Sequence, residues 1–255
     1  MSKGILKEIQ KKKALGVKSL AVLVDPDHSS LKNFERTIEL ANTCKVDYFF
    51  IGGSLIIQDR LDECIKFIRE TSKIPIIIFP GNNYQINSNA DAILLLSLIS
   101  GRNPDYLIGK HVESSMQLYA SKLEIISTAY LLIDGQNSNT AAYISQTLPI
   151  PRDKPEIALA TAMAGQMLNM QLVYLDAGSG AKNPVPANMI EKLQSYIDIP
   201  IIIGGGIRDE ETVYQTLHAG ADLIVIGNAL EQNPQQVKSM MDVVHNFSPL
   251  QVKRK

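Results

Sequence analysis

The sequence has no tryptophan, four histidines and only two cysteines, Cys44 and Cys64, in 255 residues. Neither cysteine belongs to a redox or metal-binding motif, so a disulfide-stapled scaffold is excluded and two reduced thiols in a reducing compartment are expected. The histidines show no spacing typical of zinc ligands. A binding or catalytic site in this protein is therefore expected to use side-chain oxygen atoms and backbone groups.

Long hydrophobic runs are also absent. No apolar stretch reaches the roughly 18 residues of a membrane span, and the first residues lack the apolar core of a secretory signal. The formal net charge of −1 gives no field that would attract nucleic acid. The basic runs Lys11–Lys13 and Lys253–Lys255 are interpreted as solvated chain ends. We therefore expect a cytoplasmic protein with no transmembrane segment and no nucleic-acid partner.

What the sequence does contain is a repeated order of short apolar runs, each followed by a polar or glycine-rich break and then a helical pattern. The runs are nearly continuous rather than alternating, as in strands of a parallel sheet buried on both faces. Strand and helix in alternation indicate βαβ units. The runs cover residues 19–25, 47–51, 75–79, 90–96, 124–133, 171–175, 200–203 and 222–226.

An internal similarity favours a closed barrel over an open sheet. Residues 73–78 resemble residues 198–203, and residues 89–94 resemble residues 220–225, so strands three and four match strands seven and eight. Chance similarity among buried strands is the alternative. We predict an α/β protein with a single (β/α)₈ barrel over residues 1–255, interrupted by an irregular connection at residues 135–155.

Glycines follow the three last predicted strands, at the end of the barrel where phosphate is often held. They stand in the strings DAGSG (176–180), GGGIR (204–208) and GN (227–228). Glycine lets the backbone approach an anion closely, and successive N–H groups stabilise its charge. A requirement for tight turns could explain one glycine string after a strand, but it explains three at the same end of the barrel less well. We therefore predict a phosphate site. Arg208 could assist it, but pairing on a helix surface is the favoured interpretation of that residue.

Carboxylates and a hydroxyl lie at the same predicted edge. Asp25 ends strand one and Ser54 follows strand two; both are hard oxygen ligands suited to Mg²⁺, although either could instead cap a helix. Asp176 ends strand six, where it could accept the proton of an attacking hydroxyl or only hydrogen-bond the substrate. Tyr174 shares its strand face and could be a hydroxyl partner or a core aromatic.

Other barrel classes use similar glycines. A sugar-phosphate isomerase or lyase would need a strand-end lysine or an acid–base pair, and no strand-end lysine is found. A flavin-binding barrel and a non-catalytic phosphate-binding barrel remain alternatives. The latter would have no use for an acid after strand one together with a serine after strand two.

The motifs together resemble the geranylgeranylglyceryl phosphate synthase family, which also contains heptaprenylglyceryl phosphate synthases. The resemblance runs over essentially the whole chain, through VDPD (24–27), IGGS (51–54), FPGN (79–82), NPDYLIG (103–109), YLDAGSG (174–180), GGGI (204–207) and GN (227–228). It implies a Mg²⁺-dependent barrel prenyltransferase that works as a homo-oligomer. In such an enzyme the 3-hydroxyl of sn-glycerol 1-phosphate attacks the first carbon of a prenyl diphosphate, here geranylgeranyl diphosphate, and diphosphate leaves.

The resemblance also implies residue roles. Asp25 and Ser54 correspond to Mg²⁺ ligands and Asp176 to the catalytic base, although many relatives have glutamate at position 176 and lysine at the position of His28. A groove for the prenyl tail is expected, with residues 157–170 either lining it or packing on the barrel and Tyr106 as a candidate stop. The implied glycerol 1-phosphate site comprises Tyr174, Leu175, Asp176, Ala177, Gly178, Ser179, Gly180, Gly205, Gly206, Gly227 and Asn228.

Overall fold

Eight parallel strands close into a barrel in the order of the sequence. The computed structural model describes residues 4–27, 31–53, 60–82, 85–137 and 140–248. Each predicted apolar run overlaps one strand, so the (β/α)₈ prediction is confirmed. The strands are β1 (Ser19–Val24), β2 (Tyr48–Ile51), β3 (Ile76–Ile78), β4 (Ala92–Leu98), β5 (Glu124–Leu132), β6 (Leu172–Asp176), β7 (Ile201–Gly204) and β8 (Leu223–Ile226).

Helices surround the strands. They are α1 (Ile5–Ala14), α2 (Leu31–Cys44), α3 (Leu61–Thr71), α4 (Lys110–Ser121), α5 (Thr140–Ser145), α6 (Pro155–Met167), α7 (Ala187–Gln194), α8 (Glu210–His218), α9 (Asn228–Gln232) and α10 (Gln236–Asn246). A π-helical turn, Asp105–Gly109, leads into α4. The predicted irregular connection contains the short helix α5, and its residue Ile150 forms a parallel bridge with Ile133, just after β5. Within the ranges that the structure describes, no helix is long and apolar enough to cross a bilayer.

Buried side chains form two layers, because successive residues of a strand point to opposite faces. One layer lies between the strands and the helices. The other fills the inside of the barrel and contains the aromatic residues Tyr48, Phe50, Tyr130 and Tyr174. The interior is therefore a packed core.

The internal sequence similarity has a structural counterpart. The carboxylate of Asp91 accepts a hydrogen bond from the N–H of Ile76 at 2.7 Å, at the start of β3. Asp222 does the same for Ile201 at 2.9 Å, at the start of β7. Matching aspartates thus satisfy the first amide of matching strands, which is why both halves of the barrel keep the same residue type there.

The prediction that Lys11–Lys13 is a solvated chain end is wrong for two of its residues. Lys12 lies 2.6 Å from Asp47, and Lys13 lies 2.8 Å from Asp222. Helix α1 contributes its apolar face to the barrel interior, which brings its lysines against the acidic strand starts. These partly buried ion pairs belong to the floor of the barrel. Lys253–Lys255 lie outside the described residues.

Candidate active site at the carboxyl ends of the strands

A polar cavity opens where the strands end, and it collects most of the residues that the sequence predicted. Its wall includes Asp25, Tyr174, Asp176, Gly178, Ser179, Gly180, Gly205, Gly206, Gly227 and Asn228. Because strands of a parallel barrel all end on one side, motifs far apart in sequence meet there. Ser54 and His28 lie outside the described residues, so their roles stay predictions.

Leu175 and Ala177 are placed differently from their neighbours. Both side chains are fully buried in the layer between strands and helices and do not line the cavity. Strand alternation turns them outward while Tyr174 and Asp176 face inward. The Ala177 N–H donates to the carbonyl of Gly204 at 3.0 Å, within the barrel. Substrate binding by these two residues stays a prediction, and their side chains contribute packing.

The glycine loops approach one another so closely that a side chain would not fit between them. Gly205 has a φ of +81°, which favours glycine. A β-carbon there would lie 2.6 Å from the nitrogen of Gly178 and 2.8 Å from Oδ1 of Asp176. The loops after β6 and β7 therefore present bare backbone to the cavity, as the binding of a phosphate group requires.

Hydrogen bonds from neighbouring loops hold the loop after β6. The Ser179 hydroxyl donates to the side-chain oxygen of Asn228 at 2.9 Å. The Arg208 guanidinium donates to the carbonyl of Ala181 at 2.6 Å. Arg208 also lines the cavity, so it adds positive charge at the rim while tying two loops together. Pairing on a helix surface is not its role in this arrangement.

Asp176 is a buried carboxylate with two donors aimed at it. The Tyr130 hydroxyl donates to Oδ2 at 2.6 Å, and the Gly178 N–H donates to Oδ1 at 2.7 Å. Burial raises the pKa of Asp176 above its ordinary value, and the two hydrogen bonds partly offset that rise because they stabilise the charged form. A carboxylate poised in this way is suited to accept a proton.

Three aromatic rings pack beside this carboxylate. Phe79 stacks on Tyr174 with ring centroids 5.1 Å apart, and Tyr130 meets Phe79 edge-on at 5.8 Å. Burial raises the pKa of both tyrosines well above the ordinary value, so their hydroxyls stay protonated. Sequence reasoning missed Tyr130. Tyr130 lies beside Tyr174 in the pairing of β5 with β6 and, like it, points into the barrel interior. The sequence of a strand buried on both faces does not reveal which of its residues face inward.

Asp25 lies at the opposite wall of the cavity, over Gly53. A β-carbon on Gly53 would lie 2.7 Å from Oδ2 of Asp25, so glycine is what allows the carboxylate to sit there. Oδ1 accepts a hydrogen bond from the N–H of Asp27 at 3.0 Å. Among the described residues, no group of three or more acidic, histidine or cysteine side chains could hold a metal ion. A cation at Asp25 would thus take most of its ligands from water and phosphate, a pattern typical of Mg²⁺.

An apolar groove adjoins the cavity and shares the wall residues Gly53, Phe79 and Ala141 with it. Side chains from the β3–β4 region and α4 line the groove, which also includes Tyr106 and His111. The Nε2 atom of His111 lies 2.9 Å from the Ser97 hydroxyl, and burial lowers its pKa, which keeps the imidazole neutral. The groove is therefore a mostly apolar channel that starts at the polar cavity and has one charged side chain, Lys110, in its wall.

Residues 157–170 do not line that groove. Ala158, Ala162 and Gly165 of α6 are buried. A β-carbon added at Gly165 would lie 2.7 Å from the Ala129 side chain of β5. Small side chains here let the helix approach the strand closely, so core packing is their role. Tyr106, by contrast, lines the groove, and its role as a tail stop stays a prediction.

Known proteins resemble this chain in both sequence and fold. The PcrB family profile matches residues 10–246. A geranylgeranylglyceryl phosphate synthase from Chitinophaga pinensis is 49% identical over 239 residues, which cover 94% of this chain and 95% of that protein. One from Pyrococcus furiosus is 41% identical over 211 residues, covering 82% and 83%. The crystal structure of (S)-3-O-geranylgeranylglyceryl phosphate synthase from Thermoplasma acidophilum in complex with sn-glycerol-1-phosphate has a TM-score of 0.89 at 32% identity, covering 94% and 98%.

Proposed function

Because the chain belongs to the PcrB family, together with the geranylgeranylglyceryl phosphate synthases to which it is similar, we propose that it is a prenyltransferase. It joins sn-glycerol 1-phosphate to a long-chain prenyl diphosphate, with geranylgeranyl diphosphate as the first candidate donor. The observation that carries the proposal is a polar, glycine-lined cavity that continues into an apolar groove. One site thus suits both a phosphorylated polyol and a hydrocarbon chain.

Glycerol 1-phosphate would occupy the polar cavity. Its phosphate meets the bare backbone of the loops that contain Gly178 and Gly205, with the charge of Arg208 nearby. Its hydroxyls meet Asp176 and the Tyr174 side chain. Because these loops are already tied together by hydrogen bonds, the nucleophile is held in one orientation, which lowers the entropy cost of the reaction.

In the reaction, the substrate 3-hydroxyl oxygen forms a bond to the first prenyl carbon while the bond from that carbon to diphosphate breaks. The hydroxyl proton passes to Asp176, and the electron pair of the broken bond leaves with diphosphate. The 2.6 Å hydrogen bond from Tyr130 favours the ionised form of the carboxylate and partly offsets the effect of burial. The apolar groove keeps water from the carbocation-like carbon.

We also propose Mg²⁺ at Asp25, with Ser54 as the second protein ligand predicted from sequence. The carboxylate over Gly53 faces the junction of cavity and groove, where the donor diphosphate would lie. Bound there, the ion would neutralise charge on the departing diphosphate. Both cysteines are free, which suits the cytoplasm as the proposed compartment.

The decisive assay uses radiolabelled sn-glycerol 1-phosphate, Mg²⁺ and prenyl diphosphates of different length. We expect organic-extractable label with the 1-phosphate, and none with sn-glycerol 3-phosphate or after EDTA. If no donor yields labelled lipid although glycerol 1-phosphate binds, the proposal fails and a non-catalytic or isomerase-type barrel takes its place.

Replacing Tyr130 by phenylalanine should move the acid limb of the kcat–pH profile upward by about one pH unit. The Tyr130 hydroxyl favours the charged carboxylate, so its loss raises the pKa of Asp176 further and the base is lost at a higher pH. Tyr196→Phe, at an exposed side chain, is the matched control. An unshifted profile would show that Tyr130 does not influence the ionisation of Asp176.

Replacing Tyr106 by alanine should extend the range of accepted donors. The ring lines the groove, and its removal leaves space along the path of the tail. We expect the ratio of kcat/KM for a heptaprenyl donor to that for a geranylgeranyl donor to rise about tenfold. Tyr196→Ala, at an exposed side chain after α7, should leave that ratio unchanged.

We further propose that the chain works as a homo-oligomer. Ile108, Val112, Met116 and Tyr119 are all more than half exposed, and their spacing places them on one face of the π-helical turn and α4. Monomers rarely expose such continuous apolar surface. Light scattering should show a dimer or larger species for the wild type and a lower mass for Met116→Glu. A monomeric wild type would contradict this.

A further inference from the structure

A buried glutamine joins two loops at the junction between the cavity and the groove. The Gln85 side chain is 4% exposed. Its Nε2 donates to the carbonyl of Gly53 at 3.2 Å, and its Oε1 accepts from the N–H of Gly81 at 3.1 Å. One amide therefore satisfies a backbone acceptor after β2 and a backbone donor after β3.

The amide acts where the pairing of the two strands ends. Strands β2 and β3 pair up to Ile51 and Ile78, and the N–H of Phe79 still donates to the carbonyl of Ile51 at 2.9 Å. Gly52 follows with a φ of +151°, and a β-carbon there would lie 2.0 Å from the carbonyl oxygen of Phe79. The segments that follow β2 and β3 are thus in direct backbone contact. Beyond the last hydrogen bond between the two strands, the Gln85 side chain connects these segments.

The bridged backbone forms part of both binding spaces. Gly53 lines the polar cavity and the apolar groove, and Gly81 lines the groove. Gly53 also leaves room for the Asp25 carboxylate, because a β-carbon at Gly53 would lie 2.7 Å from Oδ2 of that residue. The position of this backbone therefore sets the distance from the proposed cation ligand to the start of the groove.

We propose that Gln85 is a positioning residue for the prenyl donor. Resting on the proposed function, the inference adds that this amide fixes the junction where the first prenyl carbon and the diphosphate must lie, without touching either substrate. Glutamine suits the task because it is neutral and offers a donor and an acceptor at once. Glutamate would lack the donor toward Gly53 and would bury a charge.

The test is Gln85→Met, which keeps the length of the side chain but removes both hydrogen bonds. We expect kcat to fall about tenfold to a hundredfold and the KM for geranylgeranyl diphosphate to rise, since a displaced reacting carbon is costly. The Kd for sn-glycerol 1-phosphate, measured by calorimetry, should stay within about twofold of the wild type, because its loops lie on β6, β7 and β8. That constant also reports that the variant is folded.

Gln166→Met is the matched control. Gln166 likewise accepts from a backbone N–H, that of Asp198 at 2.8 Å, but on the outer helix layer. It should leave both substrate constants unchanged. Parallel losses of kcat and of glycerol phosphate affinity in Gln85→Met would show a merely structural role and overturn the inference.

Two further outcomes are distinct. If the wild type turns over and Gln85→Met retains its kcat and donor KM, the inference alone is overturned. If the wild type forms no prenylglyceryl phosphate with any donor, the proposed function fails first and the inference fails with it.

Discussion

Replacing Asp176 by asparagine is expected to lower kcat for prenyl transfer by about 10²- to 10⁴-fold, the usual contribution of a general base. The amide cannot take up the hydroxyl proton. It keeps the shape of the carboxylate, its oxygen can accept from Gly178, and the Tyr130 hydroxyl can turn to accept from its nitrogen. Binding of sn-glycerol 1-phosphate should therefore survive the loss of turnover.

The same substitution should leave the melting temperature equal or higher at neutral pH. Burial raises the pKa of Asp176 in the folded protein, so the stability contributed by its protonated form is present below the unfolded pKa and is lost as pH rises through the folded pKa. Asparagine has no such loss. The difference in melting temperature between variant and wild type should thus increase from pH 4 to pH 7.

Calorimetric melting and product assays on both proteins check this pair of expectations. Asp153→Asn, at a carboxylate whose side chain is 72% exposed, serves as the control and should change neither quantity. Retention of more than about a tenth of the wild-type kcat by Asp176→Asn would remove Asp176 from the role of base. A fall in melting temperature would mean that the buried carboxylate stabilises the fold.

Replacing Gly205 by alanine is expected to weaken binding of sn-glycerol 1-phosphate about a hundredfold. The new β-carbon would lie 2.6 Å from the nitrogen of Gly178 and 2.8 Å from Oδ1 of Asp176, so the loops after β6 and β7 must move apart. A displacement of about 1 Å at such a site has effects of this size. Because Asp176 moves as well, kcat should fall together with affinity.

Gly180→Ala separates this contact from backbone strain. Gly180 also has a positive φ, +68°, and also lines the cavity, but a β-carbon there meets nothing within 4 Å. Its effect on the Kd, measured by calorimetry with the substrate and with inorganic phosphate, should stay below about tenfold, which corresponds to the strain of a left-handed conformation. Equal losses in both variants would show that strain, and not the close approach of the loops, governs binding.

Much of the candidate site could be predicted because its signals are local. Glycine strings follow strands, and the rule that barrel sites lie at the carboxyl ends of strands places them together. That reasoning brought Tyr174, Asp176, Gly205 and Asn228 to one cavity, where the structure has them. It did not predict that the Tyr174 side chain points into the barrel and the Leu175 side chain points outward. A strand buried on both faces has no alternation of polar and apolar residues that would show this.

The sequence by itself determined the number, order and type of the strands, since each depends on contiguous apolar runs and their breaks. Tertiary structure alone decided the pairings across the barrel. Tyr130 reaches Asp176 over 46 positions, and Gln85 reaches back 32 positions to Gly53. Lys13 meets Asp222 across almost the whole chain. These contacts depend on strand register and on closure of the barrel, which no local pattern encodes, because a one-residue slip would turn every side chain to the other face.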